Sequence, residues 1–168
     1  MGAVPFLGLT GFADATGTLG PGKEKRINRA RERFQERFPQ CKINVVIKTF
    51  RDDVPLEVAL FWIFNSAGLS VAEDVGGKNH DILIVVDPKR MLAGLTMGYG
   101  LEPFFAMEDI DRQLARAVPQ LQAGDITAGI LTIMTGLSDL FALTCRRLPL
   151  AFGQPDEIPG PTLAVPQY

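Results

Sequence analysis

Four carboxylates stand where elements begin or end along this chain: Asp14 before the first helix, Asp81 at a strand start, Glu102 after a glycine pair, and Asp125 in Gly124-Asp125. In a sandwich of sheet and helices, loops at one sheet edge gather residues distant in sequence. Three or four carboxylates there would suit a hard cation such as calcium or magnesium. Helix capping accounts for Asp14 and Asp125 just as cheaply, because a carboxylate accepts the free N–H groups of a first helical turn. Glu102 closes Met97-Gly98-Tyr99-Gly100-Leu101-Glu102. Glycine there lets the backbone take positive φ or approach another group closely. The expectation is a tight strand-to-helix passage through Gly98, Tyr99, Gly100 and Leu101, with Tyr99 packed and Glu102 at the loop edge, open to a partner or a cation.

Four other features point less far. Gly17-Thr18-Leu19-Gly20-Pro21-Gly22-Lys23 has GxxxxGK spacing, but a phosphate loop needs a hydroxyl next and a strand before it. Here Glu24 follows, and Phe12-Ala13-Asp14 reads as a poor strand. A helix-entry turn, with no nucleotide, is expected. His80 adjoins Asp81, yet no Ser or Cys nucleophile lies nearby in sequence for the pair to activate, so the histidine reads as structural or solvent-exposed. Asp109 and Asp111 are two apart, which on a helix turns them to different faces and disfavours a shared metal. Cys41 and Cys145 show neither CxxC nor zinc spacing and read as two buried free thiols.

The elements that must position these groups follow from periodicity. Lys23 to Phe38 carries Ile27, Ala30, Phe34 and Phe38 at helical spacing and ends before Pro39. Ile43 to Phe50 is β-branched and reads as a strand. Asp52 or Asp53 would cap a helix with Pro55 in its first turn, running through Leu56, Ala59, Leu60, Ile63 and Phe64 to Gly68, well buried because its apolar stripe is wide. After the loop Ala72–Asn79, Ile82 to Val86 is apolar without alternation, the mark of a central strand. Asp87-Pro88-Lys89-Arg90 is a turn, and Leu92 to Met97 pairs back as a hairpin. Glu108 to Leu121 is a helix with Ile110, Leu114 and Val118 on one face, shortened or kinked by Pro119. Ile126 to Arg147 has the length and apolarity of a membrane span. Asp139 and five Thr or Ser hydroxyls between Ile126 and Cys145 favour a buried core helix instead.

With 46% hydrophobic and 21% charged residues among 168, the chain has ordinary globular composition, long enough for one domain with tails. Lys23 to Arg37 holds seven basic and three acidic residues, a local +4 inside a net charge of −2. Glu24, Glu32 and Glu36 interleave with the cations at pairing distances, so a solvated face is expected and no nucleic acid. The first nine residues, MGAVPFLGL, lack the basic start and length of a secretory signal.

Lys78-Asn79-His80-Asp81 before an Ile/Leu/Val strand, the GYGLE run, Gly124-Asp125 and Gly129 together resemble the TPM domain family, from roughly Phe12 to Leu140. That family includes a thylakoid-lumen acid phosphatase-like protein, a photosystem II repair factor and an acetylcholine-receptor accessory protein. The resemblance implies an α/β fold: a three-layer α/β/α sandwich, Rossmann-like, with a central mixed sheet flanked by helices. An N-terminal arm (1–11), the domain (12–148) and a proline-rich tail (149–168) follow. It also implies an exported or membrane-associated protein. His80-Asp81 replaces the family's second Asn and Gly, Met107 stands where an Asp is expected, with Glu108 beside it, and Ile126 replaces a Tyr. Two functions follow from the resemblance. One is a non-catalytic accessory domain with a protein partner at a membrane or envelope complex. The other is a metal-dependent, acid phosphatase-like hydrolase acting on a small phosphorylated ligand, its carboxylates holding the ion.

Overall fold

The computed structural model describes residues 11–67 and 80–151. Gly68, the Ala72–Asn79 loop, nearly all of the N-terminal arm and the tail from residue 152 lie outside the described residues. Four strands and four helices follow the chain: β1 (Phe12–Asp14), α1 (Pro21–Arg37), β2 (Lys42–Ile47), α2 (Leu56–Ser66), β3 (Asp81–Asp87), β4 (Leu92–Met97), α3 (Met107–Gln122) and α4 (Ile126–Ala151). A 3₁₀ turn at Glu102–Phe104 precedes α3.

The sheet has the order β1-β2-β3-β4, with β1, β2 and β3 parallel and β4 antiparallel to β3. Alternation along β2 and β3 divides the side chains between two layers. Ile43, Val45, Ile47, Ile82, Ile84 and Val86 face α1, α3 and α4, whereas Val46, Leu83 and Val85 face α2 alone. Both faces of β3 are therefore covered, which is why its sequence is continuously apolar. The three-layer mixed sandwich is as the sequence implies.

α4 lies in the thicker layer. Ile130, Ile133, Leu137 and Phe141 are buried there, and Phe141 stacks on Phe105 at 4.4 Å and meets Phe34 edge-on at 5.2 Å. One face of the apolar helix that has the length of a membrane span thus contributes to the core of this fold. Between α3 and α4 the chain reverses at Ala123, Gly124 and Asp125. Gly124 takes φ +79°, its N–H reaches the Leu121 carbonyl at 2.9 Å, and the Asp125 N–H reaches that of Gln120 at 2.9 Å. This doubly bonded helix end needs the left-handed conformation that glycine adopts without a Cβ penalty.

Several expectations need correction. Phe12-Ala13-Asp14 is a strand after all, because pairing with the buried β2 outweighs its weak propensity. β2 ends at Ile47, since the Phe50 N–H turns to the Asp87 carboxylate at 3.2 Å. Neither Asp52 nor Asp53 caps α2: Asp52 pairs with Lys89 at 3.0 Å, and Asp53 with Arg51 at 2.7 Å. The wide stripe of α2 is only half used, for Phe61 and Trp62 stand 64% and 65% exposed. On α3 the buried face runs through Ile110, Gln113, Ala117 and Leu121, leaving Val118 in solvent. A row at every fourth residue drifts about 40° per step round the helix, which carries Val118 off the core. Pro119 sits within α3 without stopping it before Gln122. Cys41 is buried but Cys145 is exposed.

Candidate functional site: the open edge of the sheet

Among the described residues, β1 and β4 are the two edge strands. β1 is three residues long, whereas β4 runs for six, Leu-Ala-Gly-Leu-Thr-Met. α2 packs over one face of β4 and α3 over the other. Gly94 permits the approach on the α2 side, since a Cβ at that position would stand 2.5 Å from Leu60 Cδ1 and 3.1 Å from Leu56 Cδ2. The result is a slot of about 390 Å³ with the edge of β4 as its floor, Leu60 and Phe61 on one wall, and Met107 and Leu114 on the other.

The GYGLE stretch forms one end of this slot. The Gly98 N–H donates to the Asp81 carbonyl at 2.9 Å, extending the β3–β4 ladder at its open end, and the N–H groups of Leu101 and Glu102 return to the Gly98 carbonyl at 2.9 and 3.3 Å. Leu101 is buried in the main core and anchors the turn. Neither Gly98 nor Gly100 has positive φ, so the passage is an ordinary right-handed turn. Tyr99 is not packed: it is 77% exposed, and Met107 beside it is 69% exposed. Sequence reasoning found Tyr99 and Glu102 but placed the ring inward. Phe61 and Trp62 were missed as exposed residues, though the excess width of the α2 stripe signalled them, and Met107 stood out only as a departure from the family pattern.

The four predicted carboxylates divide between opposite ends of the molecule. Asp14 lies opposite Ile47 and Asp81 opposite Lys42, five residues apart along β2, or roughly 16 Å at a strand's rise. Glu102 joins Asp81's edge through the Gly98 turn. Asp125 opens α4, sixteen residues before Phe141 and about 24 Å from it along the axis. Phe141 packs on Phe38, close to where β2 begins, so Asp125 lies toward the Asp14 edge. A single cation cannot be held by all four. Among the described residues, no three His, Cys, Asp or Glu side chains gather as a metal site.

Asp14 is engaged within its own loop. One oxygen accepts the Thr16 N–H at 2.9 Å, the Thr16 hydroxyl at 2.6 Å and the Gly17 N–H at 3.0 Å, and the other accepts the Leu19 N–H at 2.9 Å. Partial burial alone would raise its pKa, but the Thr16 hydroxyl and these N–H groups outweigh it and hold the carboxyl below its usual value. The backbone amides of the GxxxxGK loop therefore cradle an anion supplied by the chain itself. Asp125 Oδ1 accepts the Ala128 N–H at 3.0 Å, as a helix cap does.

Asp87, a carboxylate given no role from sequence beyond its turn, is fully buried. It accepts Arg90 Nε at 2.7 Å and the N–H groups of Phe50, Lys89 and Arg90. Burial works against its charge, and the Arg90 guanidinium and two of these amides overcome it, so the pKa is lowered. The basic helix is likewise not wholly solvated. Arg31 Nε donates to the Ile43 carbonyl at 2.7 Å, and its guanidinium lies over Gly11, which has φ +102°. A second groove of about 500 Å³ separates the outer faces of α3 and α4 and mixes Arg112, Arg116 and Arg147 with Asp109 and Asp139.

Solved structures with this fold come from several bacteria. The N-terminal domain of a P. gingivalis protein matches with a TM-score of 0.67 at 18% identity, covering 80% of this chain and 83% of its own. A Bizionia argentinensis protein gives 0.65 at 13% identity, over 77% and 86% of the two chains. The N-terminal domain of a Corynebacterium glutamicum protein gives 0.58 at 16%, over 76% and 77%. No curated protein matches the sequence significantly. The sequence profile of the TPM domain matches residues 12–140, and the chain belongs to the TPM domain family.

Proposed function

We propose that this domain is a non-catalytic interaction module, which supports a membrane or envelope protein complex and meets its partner at the open edge of β4. The observation that carries the reading is the group of solvent-facing Phe61, Tyr99 and Met107 that line the slot at that edge. Aromatic residues and methionine are enriched in the cores of protein interfaces, and Trp and Tyr dominate their energetics. No role in folding accounts for these side chains, since most of their surface lies in water. A photoreactive benzoylphenylalanine at position 99, introduced in cells and irradiated, is expected to capture a defined protein from the membrane fraction. The capture should be lost in Phe61→Ala/Met107→Ala with the circular dichroism spectrum unchanged. Metal-dependent hydrolysis of an aryl phosphate, abolished by Glu102→Ala in a folded protein, would overturn the reading in favour of a hydrolase.

A further inference from the structure

The open edge has a chemistry of its own. Every second residue of an edge strand turns its N–H and C=O away from the sheet, and proteins guard such edges with charge, proline, bulges or brevity. β1 is guarded by its three-residue length. β4 has six residues, about 20 Å of strand, with no charge and no proline in Leu92–Met97. It pairs with β3 in unbroken register, without a bulge. Among the described residues nothing pairs with its outward backbone groups.

The slot around that edge selects the occupant. Its apolar walls, Leu60 and Phe61 from α2 and Met107 and Leu114 from α3, stand on either side of the strand, where the alternate side chains of an added strand would project. Its charged residues are Glu57, Glu102 and Asp111, one sign only. None of the three forms an ion pair among the described residues. Three unneutralised carboxylates beside an apolar slot disfavour an anionic lipid surface and favour a cationic partner.

Resting on the interaction reading above, we infer that the partner enters as an extended segment, which adds a fifth strand to β4 and carries lysine or arginine toward Glu57, Glu102 and Asp111. Main-chain hydrogen bonds along β4 would then supply affinity, and the two walls and the acidic rim would select the side chains.

The probe is an acetylated, amidated peptide, Lys-Val-Thr-Val-Lys-Val-Thr, titrated to millimolar concentration into the isotope-labelled protein. Expected are amide shifts centred on Leu92–Met97, slowed hydrogen exchange of the outward β4 amides, and strand-type contacts between peptide and β4 backbone. Glu102→Lys/Asp111→Lys should weaken binding at least tenfold, and replacing the central valine by proline should abolish it. Shifts confined to α3 and α4, equal binding of the proline peptide, or no shift at β4 would overturn the inference. Concentration-dependent pairing of β4 with a second copy, insensitive to the charge reversals, would overturn it in favour of self-association. Crosslinking at position 99 together with failure of the peptide at β4 would remove only the added strand; loss of both would remove the interaction reading as well.

Discussion

Gly94 lies under Leu60 so closely that the missing Cβ would stand 2.5 Å from the leucine methyl. The contact seats α2 over the edge strand and sets the width of the slot. Gly94→Val is expected to push α2 outward and destabilise the domain by about 1–3 kcal/mol, the usual cost of overpacking. Urea denaturation measures this. Peptide affinity at β4 should fall in the same variant, whereas Gly22→Ala, with open space around the position, should change neither.

Loss of stability in acid should come in part from Asp14 and Asp87, whose carboxyls are held below their ordinary values in the folded protein. A lowered folded pKa contributes stability that is fully present above the unfolded value, about 4 for Asp, and is lost as pH falls through the folded value. Asp14→Asn keeps an acceptor but turns an NH₂ group toward backbone donors. Its expected cost at pH 7 is about 1–3 kcal/mol. The loss should shrink as pH drops below 4, so that wild type and variant converge in acid melts. A constant gap down to pH 2 would show that the Asp14 charge is not what the loop holds.

The division of these carboxylates shows what the sequence could and could not reveal. Strand and helix positions were legible wherever apolar periodicity was strong, as in Ile82–Val86 and Ile27–Phe34, because burial sets both the pattern and the structure. Gly124-Asp125 was readable as a helix boundary from local chemistry alone. The grouping of Asp14, Asp81, Glu102 and Asp125 was not, because it depends on which end of each parallel strand a residue occupies and on the direction of α4. Phe12–Asp14 was misjudged for a related reason: its strand character comes from its neighbour β2. Tyr99 and Phe61 look apolar to any hydropathy pattern, yet they point outward. Nothing local distinguishes a core aromatic from an interface one.

Arg90 holds the one fully buried carboxylate among the described residues. Removing one partner of a buried pair leaves an uncompensated charge, at a typical cost of about 3–5 kcal/mol. Arg90→Met should lose that much at pH 7, while the double variant Asp87→Asn/Arg90→Met should recover part of it. Guanidinium denaturation of the three proteins closes the cycle. A double variant no more stable than Arg90→Met would mean that the guanidinium acts through its 2.8 Å bond to the Val54 carbonyl instead.

The two cysteines should separate by reactivity. Burial, with smaller contributions from Cys145 and Asp81, pushes the Cys41 thiol up to about 11, while Cys145 is exposed on α4. The thiolate is the reactive form, and at pH 8 a group titrating near 11 is roughly 0.1% ionised as well as shielded. Ellman's reagent at pH 8 is therefore expected to modify one thiol quickly and the second only when denaturant opens the junction before β2. Cys145→Ser should remove the fast phase and leave the slow one. Cys41→Ser should remove the slow phase and destabilise the domain slightly, because a hydroxyl would replace a buried sulfur in the main core. Two fast thiols in the native protein would mean that this end of the sheet opens readily under native conditions.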